Sequence, residues 1–270
     1  MANICSLTNP LSSVTETLLT QISQVCLEQK IPFFIAGATA REILLHHVHG
    51  KSIGRRTRDI DIAIFVDEWR LFDLLKKSMS ARGAIEDKKS HHRMYWQHVE
   101  LDIIPFGGIA QENQIFWPPD REIILSVDGF TEVFAYVIPV KLDNAVVIPF
   151  CSLPGLTLLK LFAWRDRGHA TAKDAADLYK IITEYGAIED ARLYEMPVEG
   201  ENYGWDPVRM GAGLLGHDIA SMSSNESTDA LRQLDKEKLI DAIVRAVPSE
   251  ATDKIVQLVD DLWSGIFAQI

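Results

Sequence analysis

Apolar positions along the first hundred residues switch between helical and strand spacing. In residues 11–30, Leu18, Ile22 and Val25 with Cys26 recur at the helical period, and Lys30-Ile31-Pro32 ends the run. Residues 31–37, IPFFIAG, are continuously apolar and short, as a buried strand would be. A helix is predicted from Ala38 or Thr39 to a stop at Gly50. A basic stretch follows, KSIGRRTR at 51–58, and then an alternating run at 58–66. Asp67 suits the N-cap of a further helix reaching about Arg82. Beyond a polar connector, RMYWQ at 93–97 and VELDIIPF at 99–106 read as strands, and Gly107-Gly108 closes the second. Residues 109–135 are looser, with a stiff turn at Trp117-Pro118-Pro119. Short strands are predicted at 121–127, 136–140 and 145–150.

The texture changes at Cys151-Ser152-Leu153-Pro154, after which nearly every periodic segment is helical. Helices are predicted at 153–167, with Pro154 in the first turn, and at 171–186. A short one is expected at 189–196, and single long ones at 228–247 and 250–268; the Gly-rich run 202–216 is ambiguous. The fold class this predicts is α+β: a small mixed sheet with flanking helices over residues 1–150, then an α-helical domain over 151–270.

The 270 residues are 47% hydrophobic and 24% charged, the balance of a globular chain. A formal net charge of −11 argues against a protein that coats nucleic acid, which needs a positive surface. Cys5, Cys26 and Cys151 are odd in number and scattered, with neither a disulfide framework nor a zinc spacing, so a reducing cytoplasm is expected. The N-terminal residues lack the basic-then-apolar order of a signal peptide, and no apolar run is long enough to span a bilayer. The histidines at 46, 47, 49, 91 and 92 trail off a helix end or sit in the polar connector, without metal-site spacing.

Chemistry concentrates at RRTRDIDIAIF, residues 55–65. On a strand Asp59 and Asp61 project from one face and Ile60, Ile62 and Ile64 from the other. Two neighbouring carboxylates repel each other and resist dehydration unless a cation sits between them, which points to a divalent metal. Arg58 projects away from Asp59 on such a strand, toward the loop or a substrate. Glu100 and Asp102 share one face of the later strand. Three carboxylates from two strands, Asp59, Asp61 and Asp102, match a two-metal arrangement for phosphoryl transfer. The junction Gly37-Ala38-Thr39-Ala40-Arg41-Glu42 offers small residues and backbone N–H groups to an anion at a helix start; the same residues also tighten a turn.

G-A-T-A-R-E at a helix start, D-I-D-I after a basic segment and an aspartate on a later strand together resemble the DNA polymerase β-like nucleotidyltransferase superfamily. The resemblance implies that Gly37, Ala38 and Thr39 meet nucleotide phosphates. It also implies that Asp59 and Asp61 bind the metals and that Asp102 completes the site and assists the base step. Arg41 has a counterpart common in the superfamily. The first motif is usually Gly-Gly or Gly-Ser; Ala38 departs from it and has no hydroxyl to offer a phosphate, which leaves that part to Thr39. Farther on, the run from Lys160 to Leu178, KLFAWRDRGHATAKDAADL, resembles the K-x4-R…(K/R)-D-x-x-D-L signature of AbiEii-type nucleotidyltransferases, which include toxin components of type IV toxin–antitoxin pairs. That likeness implies that Lys160 approaches the triphosphate, with Arg167, Lys173 and Asp174 around the nucleotide. On spacing alone, Lys160 and Arg167 share one helix face, Lys173 and Asp177 are an i, i+4 pair, and ordinary surface salt bridging is the competing reading.

The function so implied is a metal-dependent nucleotidyltransferase, with two Mg²⁺ (or Mn²⁺) ions, moving an NMP from an NTP to an acceptor hydroxyl. The acceptor stays open between RNA such as a tRNA, a protein, and a small molecule of the antibiotic type. The net charge counts against RNA, and the basic residues Lys51, Arg55, Arg56 and Arg58 count for it. A cognate antitoxin is the protein partner the resemblance implies, with no membrane. The contrasting expectation is a nucleotide- or partner-binding module that keeps the scaffold without the chemistry.

Overall fold

The computed structural model describes residues 4–52, 54, 57–118, 122, 124–167, 172–195 and 199–268. They form two compact units, which meet in sequence between Ser152 and Leu153. The first runs β1 (Cys5–Ser6), α1 (Ser13–Gln29), β2 (Phe33–Ala36), α2 (Gly37–Glu42), a π-helical continuation (Ile43–Val48), β3 (Asp59–Phe65) and α3 (Trp69–Ala81). It continues through β4 (Ala84–Glu86), β5 (Arg93–Trp96), β6 (Val99–Phe106), β7 (Gln114–Phe116), β8 (Ile124–Ser126), α4 (Phe130–Ala135), β9 (Ile138–Lys141) and β10 (Val147–Phe150). Among these residues one eight-stranded sheet is ordered β1-β9-β10-β2-β3-β6-β5-β4, and β7 pairs with β8 apart from it.

The centre of the sheet mixes directions. β2 runs antiparallel to β3, β3 parallel to β6, and β6 antiparallel to β5. Alternation decides which residues are covered. Ile60, Ile62 and Ile64 are buried beside Leu101 and Ile103 on one face. The other face is apolar at one end only. There Phe65 lies opposite Phe106 in register, and Phe34 and Phe134 join them with ring centroids 5.5–6.2 Å apart. At the other end of that face stand carboxylates. α4, which supplies Phe130 and Phe134, lies in a stretch whose short, irregular pattern predicts no helix.

Most boundaries predicted for this unit hold within two or three residues. The exceptions have local causes. The helix expected up to Gly50 widens after Glu42 into π geometry, and Thr8 and Asn9 cap its end by donating to the His47 carbonyl oxygen. β1, β4 and β7 are two- or three-residue strands, too short to show a period.

The second unit is helical: α5 (Leu153–Arg167), α6 (Lys173–Ile188), α7 (Pro207–Met222), α8 (Asn225–Arg232), α9 (Lys236–Ala246) and α10 (Thr252–Phe267), with 3₁₀ turns at Asp190–Arg192 and Gly200–Tyr203. The ambiguous Gly-rich run becomes α7, whose first turn is held by the Asp206 carboxylate accepting from the N–H groups of Val208 and Arg209. The single helix expected at 228–247 is two. Ser224 caps α8, and Asp235 caps α9 by accepting from the Lys238 N–H. Among the described residues no helix is long and apolar enough to cross a membrane.

Candidate active site

The carboxylate end of the sheet face is set by strand register. The parallel pairing of β3 and β6 places Asp59 beside Glu100 and Asp61 beside Asp102. In-register neighbours point to the same side of a sheet, as do residues two apart on one strand. Four carboxylates therefore share one face in a block two strands wide and two residues deep. Antiparallel pairing of β5 then brings Arg93 beside Asp102.

Arg93 forks onto that block. Its Nε and Nη2 each donate to Asp102 at 2.7 Å, one to each carboxylate oxygen, and Nη1 lies 2.8 Å from Glu100 Oε2. These hydrogen bonds to Asp102 push the guanidinium pKa above even its usual high value. Asp102 is 8% exposed, so its charge is compensated where water is scarce. The neighbouring His92 is pushed toward its neutral form, chiefly by burial, with its ring 5.9 Å from that of Trp117.

Asp59 is fixed differently. Its carboxylate accepts from the Thr57 hydroxyl, its carbonyl oxygen accepts from the Thr39 hydroxyl at 2.5 Å, and Thr57 N–H donates to Glu42 at 3.3 Å. The loop leading into β3 is thus tied to the helical segment that begins at Gly37. Asp61 lies against Gly37 itself. A Cβ on Gly37 would overlap the Asp61 carboxylate, and Gly37 has φ +65°, so glycine is required on two counts. Ala36, at the N-cap position, makes no side-chain hydrogen bond to the N–H groups that open this helix.

Gly37, Ala38 and Thr39 are thus brought to the same end of the sheet as Asp59, Asp61 and Asp102. Ala38 and Thr39 are each 7% exposed. Arg41 points into the fold, 3% exposed, with its guanidinium near Gly54 of the basic loop. Arg58 is exposed and lines a cavity of about 620 Å³ together with Thr39, Thr57, Ile60, His47 and His98. Arg55 and Arg56 lie outside the described residues.

In the helical unit Lys160, nearly buried, donates to Asp177 at 2.7 Å and to Asp174 at 3.4 Å, joining α5 to α6. Asp177 has a side chain only 1% exposed. Lys173 is exposed, and the Arg167 side chain lies outside the described residues.

Two residues of the block are missing from the three-aspartate reading of the sequence. Glu100 is visible there as the face-mate of Asp102. Arg93 gives less away, because only the hairpin register of β5 and β6 reveals its target.

The donor set is hard oxygen, which suits magnesium rather than a soft metal. Gly37 leaves beside Asp61 a space that a side chain would fill. Among the described residues no three His, Cys, Asp or Glu side chains are already gathered as a ligand set. Asp59 and Asp61 supply carboxylate oxygens of the kind a divalent ion takes, whereas both oxygens of Asp102 are engaged by Arg93.

A family model described as nucleotidyl transferase AbiEii toxin, type IV toxin–antitoxin system, matches residues 18–261. Among solved structures, an antigenic nucleotidyltransferase-like protein from Paracoccidioides brasiliensis is similar at 15% identity and a TM-score of 0.49, over 97% of this chain and 100% of that one. The antibiotic-resistance factor ANT(2'')-Ia is similar at 15% identity and a TM-score of 0.41, over 66% of this chain and 87% of that one. A search of curated proteins finds no match.

Proposed function

Because the chain belongs to the AbiEii family of nucleotidyl transferase toxins, we propose that it transfers an NMP from an NTP to an acceptor hydroxyl in a magnesium-dependent reaction at the acidic block. The observation that carries this reading is the β3–β6 register, which sets Asp59 beside Glu100 and Asp61 beside Asp102, with Asp61 packed against the glycine that opens α2. Phosphoryl transfer asks the protein mainly to position reactants and neutralise charge.

Asp59 and Asp61 would hold the metal, with Asp102 joining them. Magnesium there would neutralise the phosphates and the departing pyrophosphate. The chain's own residues do the rest. The N–H groups at Gly37, Ala38 and Thr39 orient the triphosphate. Thr39 and Thr57 fix Asp59 from its carbonyl and its carboxylate. Asp102, beside Asp61, takes the proton of the acceptor hydroxyl as its oxygen attacks the α-phosphorus and pyrophosphate leaves. Lys160, held by Asp174 and Asp177, carries the cation of the family's second motif.

The acceptor class is an RNA end, a protein or a small molecule, and family membership makes a cognate antitoxin the partner to seek. Incubation with each labelled NTP, Mg²⁺ and either bulk tRNA or cell lysate tests the proposal, because label moves into one acceptor class. Replacement of Asp59 or Asp61 by Ala should cut transfer by a factor on the order of 10² or more, as loss of a major electrostatic element does. Full transfer by Asp59→Ala would refute the assignment.

The bidentate hold of Arg93 on Asp102 favours one second reading, a module that binds nucleotide without reacting. Tight Mg²⁺-dependent nucleotide binding by calorimetry, with no label moved to any acceptor, would select it.

A further inference from the structure

Arg93 is a cation that the described structure places on the carboxylate block. It meets both oxygens of Asp102 and one of Glu100, yet its side chain keeps 29% of its surface exposed and the Asp102 side chain only 12%. One partner is thus anchored in the sheet and the other has access to water. The Asp102 oxygens that the guanidinium covers are the ones a divalent ion would need. We infer that Arg93 is an exchangeable counter-ion: it holds Asp102 and Glu100 in place of a divalent cation and lets go of Asp102 when that cation binds.

The inference rests on the metal reading of the block and adds a positioning residue to it. Its physical basis is competition. Four like charges on adjacent strands require compensation in any state of the protein. A guanidinium fork supplies it with directional bonds and without a metal. A divalent ion at Asp59 and Asp61 adds positive charge beside the guanidinium, weakening the fork by repulsion while drawing on the same Asp102 oxygens. Release leaves Arg93 still beside β6 in the hairpin, at the edge of the site, where its charge is available to an incoming phosphate.

Manganese binding to the nucleotide-free full chain, followed by calorimetry or by the loss of the free-ion electron paramagnetic resonance signal, tests this without any assay of transfer. The expected result for Arg93→Gln is binding about tenfold tighter than wild type, because a competing charge has gone. Arg93→Lys keeps the charge and loses the fork, and should stay within about twofold of wild type. A fork that merely props Asp102 in place predicts the reverse for Arg93→Gln, so equal or weaker binding by that variant overturns the inference. Asp61→Asn separates this from the parent reading. If wild type binds Mn²⁺, Asp61→Asn does not, and Arg93→Gln is unchanged, only the role of Arg93 falls. If neither wild type nor Arg93→Gln binds, the metal reading falls and takes the inference with it. Binding by Arg93→Gln alone would be the expected effect at its limit. A second measurement uses the wild-type chain and does not depend on a variant folding. Phenylglyoxal modification of Arg93, mapped by mass spectrometry, should rise severalfold when Mn²⁺ is added; unchanged protection overturns the inference.

Discussion

At residue scale the site depends on what Gly37 lacks. Gly37→Ala places a Cβ into the Asp61 carboxylate at a backbone angle that L residues seldom adopt. The expected loss of stability in chemical denaturation is about 1–3 kcal/mol, the range for strained backbone, with loss of metal-dependent nucleotide binding alongside. Gly83 is the control. It also has positive φ, +93°, but a Cβ there meets nothing within 4 Å, so Gly83→Ala should cost stability and leave binding intact. The two aspartates of β3 and Asp102 were readable in the sequence because strand alternation needs no knowledge of partners. Arg93 was not, since its significance comes from a residue nine positions away across a hairpin. Ala38, which breaks the superfamily's usual pairing, proves to be nearly buried.

At element scale the helical unit shows what glycine does in tertiary packing. The run 202–216 is ambiguous in the sequence because glycine weakens helices in isolation. In α7 it serves tertiary packing instead. A Cβ on Gly211 would strike the Gly186 backbone on α6, and one on Gly216 would strike the α10 backbone at Leu262. Such approach is invisible to a single-helix propensity. The split of 228–247 was legible after the fact in Asp235, an N-cap set inside an apolar period. The α5–α6 pair carries a prediction of its own. Lys160→Met removes the cation that joins Asp174 and Asp177 and should cost about 3–5 kcal/mol in urea unfolding, as broken buried pairs do. Lys160→Met combined with Asp177→Leu should recover much of that loss. A single variant of native stability with a raised KM for nucleotide would instead place Lys160 wholly in substrate binding.

At the scale of the whole molecule, the strand–helix division was readable because the hydrophobic period changes from mixed to purely helical near residue 150. The sheet order was not: β1 joins the edge beside β9, more than 130 residues away, through two residues that carry no pattern. The chain's net charge of −11 adds a general repulsion to the local one at the block. A ligand that binds only the folded state stabilises it, so Mg²⁺ with the correct NTP at 100 times its Kd should add about 2.7 kcal/mol. Differential scanning fluorimetry should show the rise in Tm for wild type and none for Asp61→Asn; a rise of equal size in both would place the binding elsewhere.

The parallel pairing of β3 with β6 also sets when the site comes into being. Parallel neighbours cannot be joined by a tight turn, and here α3, β4 and β5 lie between them in the chain. A growing polypeptide that has emerged as far as Phe65 carries Asp59 and Asp61 on a strand with no Asp102 beside it. Contacts of such long sequence separation form slowly, because loop closure must precede them. The four-carboxylate face therefore cannot assemble until the chain has emerged past Asp102 and β3 has paired with β6.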